Sequence, residues 1–139
     1  TRGPSTSLAC AEASFPGALL SATASVFTHK QGVLLVVYDV ESPKPFHKQY
    51  AIEFNCGIAL VLMPSQSENT LAKLDINFQS RKTEEMDMVL SPPLLKLISG
   101  NASAQPLRML SAVASQDSRE IFYDYLENSA VEVKVNPCN

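Results

Sequence analysis

Two histidines, His29 and His47, bound the acid–base chemistry open to this chain of 139 residues. Nucleophilic catalysis by Ser or Cys ordinarily recruits a base, most often His, that is itself oriented by a carboxylate. The arrangement of that kind that neighbouring strand ends can assemble is Cys56 with His47 and Asp39. It would make a small hydrolase, using His47 with Cys56 or a nearby carboxylate. No nucleophile elbow surrounds these residues, so surface histidines and a buried or bridged cysteine are the simpler expectation. No catalytic residue is assigned.

The other chemistries fare no better. A zinc knuckle needs Cys or His pairs at close spacing, and His29 with His47, or His47 with Cys56, are too far apart. Thr83-Glu84-Glu85-Met86-Asp87 carries the charge of a calcium loop without its alternating ligand order. The five glycines form neither G-x-G-x-x-G nor G-x-x-x-x-G-K. Asp75 and Glu53, or Asp124 and Glu127, could be drawn as acid–base pairs, but each lies on a polar face where charge is expected anyway. The expectation is no metal and no cofactor.

The cysteines say more by position than by number. Cys10 and Cys138 lie near opposite ends of the chain, and domain termini often lie close together. A bridge between them would restrict the unfolded state by about 4 to 5 kcal/mol in the loop-entropy model. Such a tie is useful in an oxidising compartment, so the reading is an exported protein (secreted, extracellular or periplasmic), with a cytoplasmic protein holding three reduced thiols as the alternative. Asn101-Ala102-Ser103 is a glycosylation triplet in a loop-like setting. The Thr1–Ser7 opening lacks the apolar core of a signal peptide and reads as a processed product or expressed fragment.

Composition narrows the partners. Eleven Lys and Arg against fourteen Asp and Glu leave a net charge of −3, and no basic run exceeds Arg81-Lys82. The electrostatic footprint of nucleic-acid binding is missing. The longest apolar runs, Val33–Tyr38 and Ile58–Met63, fall far short of the roughly 18 to 20 residues of a membrane-spanning helix. The length suits one domain, read as a flexible segment over 1–9 and a β-rich unit over 10–139.

Period-two alternation is the dominant pattern. It predicts half-buried strands over 71–78, 130–135 and 49–54. The continuous runs at 33–38 and 58–63 predict central strands covered on both faces, with a tight hairpin at Asn55-Cys56-Gly57. Residues 20–27 are ambiguous between strand and helix, and 86–90 and 107–113 are weaker strand candidates. Ser91, Pro92 and Gly100 punctuate a short helix, and Asp117 with Glu120 resembles a capping box opening a second helix over 117–128. The expected class is therefore mainly β, α+β: an antiparallel sandwich or curved sheet of seven or eight strands with two short helices late in the chain.

On that second helix Tyr123 should emerge on the flank beside Arg119 and Glu127 as a protein contact, since tyrosine beside charge suits an interface. With catalytic constellations lacking, the sequence leans away from an enzyme. The expected function is a non-catalytic binding or assembly module, an exported accessory or virulence-associated factor recognising another protein.

Overall fold

Residues 14–29 resolve the first ambiguity as a helix. The computed structural model describes residues 3–46, 52–80 and 90–138, and α1 runs Ser14–His29. Phe15, Leu19, Ala22 and Val26 fall at helical spacing and are buried. Pro16 sits in the first turn, where a missing amide costs nothing. Lys30 closes the helix in the left-handed conformation at φ 53°, its N–H donating to Val26 O.

The strands are β1 (Val33–Asp39), β2 (Cys56–Leu62), β3 (Ala72–Ser80), β4 (Arg119–Tyr125) and β5 (Ser129–Pro137). β1 and β2 pair antiparallel from Val33 opposite Leu62 to Asp39 opposite Cys56. β3, β5 and β4 form a second antiparallel sheet with β5 in the middle. Two further helices, α2 (Pro92–Gly100) and α3 (Leu107–Ser115), lie between β3 and β4. The described residues thus hold five strands in two small sheets and three helices, which replaces the expected sandwich of seven or eight strands.

Three further departures alter the list of elements. Residues 107–113 are helical, with Met109 and Ala112 buried on one stripe. Residues 119–125 are a strand, because Ile121 and Tyr123 alternate with Glu120 and Asp124 and pair with Val133 and Val131. Aromatic and β-branched residues that can face a ready strand override a helix start that only local residues support. The hairpin at Asn55-Cys56-Gly57 does not form: Cys56 is the first residue of β2, and residues 52–55 are not strand. Of the expected strands over 49–54 and 86–90, residues 49–51 and 86–89 lie outside the described residues.

One apolar cluster unites both sheets. It joins Phe15 and Leu19 of α1, Leu35 and Val37 of β1, Met109 and Ala112 of α3, and Ile121, Tyr123, Val131, Val133 and Val135. Phe15 meets Tyr123 edge to face, ring centres 5.0 Å apart. Facing away from this core, the three-stranded sheet carries Lys73, Asp75 and Asn77, while β1 and β2 expose Leu34, Val36, Tyr38 and Val61. Among the described residues no helix is long and apolar enough to cross a membrane.

Candidate functional site

The approach to α1 bends at Ala11, next to Cys10. Ala11 adopts φ 50°, a conformation that costs a residue with a Cβ about 1 to 3 kcal/mol. Ser14, the first residue of α1, holds this bend on both sides. Its hydroxyl accepts from the Cys10 N–H at 2.8 Å and donates to Ala11 O at 2.6 Å. A short 3₁₀ turn over Ala11–Ala13 completes the corner, with the Ala13 N–H donating to Cys10 O at 3.0 Å. Cys10 is exposed and unbridged. The result is a corner that places exposed Cys10 four residues before the first residue of a 16-residue helix, whose dipole favours negative charge at that end.

The second nucleophile sits in the opposite environment. Cys56 stands directly across from Asp39 in the β1–β2 ladder. Burial pushes its thiol above the ordinary value, and the negative charge of Asp39 adds to the effect. Asp39 is engaged elsewhere, its Oδ2 accepting from the Ser103 hydroxyl at 2.6 Å. Asn101, 1% exposed, completes the clamp by donating to Phe54 O at 2.7 Å and accepting from the Ser103 N–H at 2.8 Å. The fold does bring Cys56 to Asp39, but a thiol kept protonated is the reverse of an activated nucleophile. His47, the base of the expected hydrolase, lies outside the described residues. Asn101 is also the acceptor of the glycosylation triplet, and in the fold it is buried with both ends of its amide bonded.

The remaining sequence candidates disperse. Cys138 donates its N–H to Leu71 O at 2.9 Å, and its sulfur lies 3.6 Å from Gln66 Nε2. All three cysteines are free, so the expected Cys10–Cys138 disulfide is not part of the fold. Cys10 is held by Ser14 at the start of α1 and Cys138 by Leu71 just before β3. Tyr123 is buried at 1% exposure, its hydroxyl donating to Gln105 O and its ring under the Arg108 guanidinium. Arg119 pairs with Asp117 at 2.8 Å, and exposed Glu127 belongs to the turn after β4. The helical flank that was to unite Arg119, Tyr123 and Glu127 therefore does not exist, and neither does the face expected for Asp124 and Glu127.

His29 lies at the far end of α1, about 22 Å from Ser14 at 1.5 Å per residue, too far to serve Cys10. Among the described residues no three His, Cys, Asp or Glu side chains gather as a metal site; the acidic stretch 83–87 lies outside them. The geometry leaves one exposed thiol, Cys10 beside the bend at Ala11, and one whose ionisation is disfavoured, Cys56. Left-handed geometry at an alanine has no residue-type signature, so nothing in the sequence marked the corner.

A family model described as beta-ketoacyl synthase, N-terminal domain, matches residues 1–119. No curated protein and no solved structure matches. The match overturns the non-catalytic binding module, since it points to a catalytic region of the fatty-acid or polyketide synthase type. The exported, virulence-associated reading is withdrawn with it: ketoacyl synthase domains belong to biosynthetic enzymes and are typically cytoplasmic, and the disulfide that suggested export is absent.

Proposed function

The chain belongs to the beta-ketoacyl synthase N-terminal domain family, and from that membership we propose that it supplies the acyl-holding part of an enzyme that joins acyl groups by carbon–carbon condensation. A β-ketoacyl product forms when an enolate of one acyl thioester attacks the carbonyl of another. The carbon–sulfur bond of the attacked thioester breaks, and the sulfur departs with the electron pair. An enzyme gains by holding the attacked acyl group on its own thiol, so that one hard transfer becomes two easier ones.

The observation that carries this reading is the corner at Cys10. Cys138 falls outside the matched segment 1–119, and Cys56 is held protonated by burial and by Asp39. Cys10 alone among the three is exposed. It lies four residues before α1, whose amino end favours negative charge gathering on a tetrahedral oxyanion. Ser14 positions it by fixing the backbone on both sides of Ala11. The base for the enolate step is not His29, which is a helix length away, and in this reading it comes from another part of the enzyme.

Acyl transfer is the test. The chain is incubated with an acyl-coenzyme A, and its intact mass is followed in parallel with Cys10→Ala. A single acyl adduct on the parent chain that disappears in the variant supports the reading. No adduct, or an adduct that survives the substitution, overturns it.

A further inference from the structure

We draw no further inference here: the strongest candidate, the apolar outer face of β1 and β2 where Leu34, Val36, Tyr38 and Val61 stand exposed, carries nothing because nothing in the structure shows what covers it.

Discussion

The Ser103 hydroxyl donates to Asp39 Oδ2 across 2.6 Å, tying the end of β1 to a turn 64 residues further along the chain. Asn101 extends the tie to Phe54, just before β2 begins. Asn101→Ala removes both bonds and leaves the Ser103 N–H and Phe54 C=O short of partners, which costs about 2 to 4 kcal/mol. Ser103→Ala removes one bond to a charged group and costs about 1.5 to 3 kcal/mol. Urea denaturation checks both. The midpoint should fall with the slope unchanged, and a midpoint within error of the parent for Asn101→Ala would show that the clamp contributes nothing.

Cys56 gives the fold an alkaline limit. Its thiol is raised in the folded chain from an ordinary value of 9.0, first by burial and then by Asp39. A group whose folded pKa is raised favours the fold while it is protonated. Its contribution is complete below the unfolded value and is lost as pH rises through the folded one. Denaturation midpoints should therefore decline above about pH 9 in the parent, and Cys56→Ala should flatten that decline. An identical slope in both proteins would remove Cys56 as its cause. At neutral pH the same shift makes Cys56 alkylate more slowly than Cys10 in the native chain, read by mass after brief iodoacetamide treatment.

Phe15 and Tyr123 couple α1 to the three-stranded sheet. Both are 1% exposed and meet edge to face. Either residue truncated to Ala should cost about 3 to 5 kcal/mol. The double variant should cost less than the sum by about 0.5 to 1.5 kcal/mol, the worth of an aromatic pair beyond its buried area. Additive losses would mean that the rings merely share a core.

Some of this architecture is legible in the residues and some is not. Alternation at Leu74, Ile76 and Phe78, and at Val131, Val133 and Val135, marks β3 and β5, because one sheet face is apolar and the other wet. The continuous run 33–38 marks β1 as a strand but not as one covered on both faces, since Leu34, Val36 and Tyr38 stand exposed, and Pro92 at the start of α2 marks a helix, although Gly100 ends up as its buried last residue and Ser91 makes no side-chain cap bond. Asp117 and Glu120 imitate a capping box, yet Asp117 bonds Arg119 and Glu120 bonds Lys134 across the sheet. That choice is settled by strand pairing from residues beyond the local window. The Ser, Thr and Ala of 20–27 carry too little periodic contrast to declare α1. The candidate site was least visible of all: Cys10 stood out only as half of a disulfide, and the bend that exposes it rests on the φ of Ala11.

Ser14 should matter to chemistry more than to stability. Its hydroxyl bonds span an exposed corner, so Ser14→Ala should unfold at nearly the parent midpoint. Acyl transfer to Cys10 should slow about fivefold, the rate equivalent of one hydrogen bond of about 1 kcal/mol. Ser14→Thr, which keeps the hydroxyl, should recover most of the rate. Equal rates in all three proteins would show that the hydroxyl does not position the thiol.

The most direct measurement locates the acyl group. Trypsin places each cysteine on its own peptide: Cys10 on 3–30, Cys56 on 49–73 and Cys138 on 135–139. After reaction with an acyl-coenzyme A, the added mass should appear on peptide 3–30 and be removed by hydroxylamine, as a thioester is. Acyl mass on 49–73 or 135–139, or none on 3–30, would contradict Cys10 as the acyl-holding thiol.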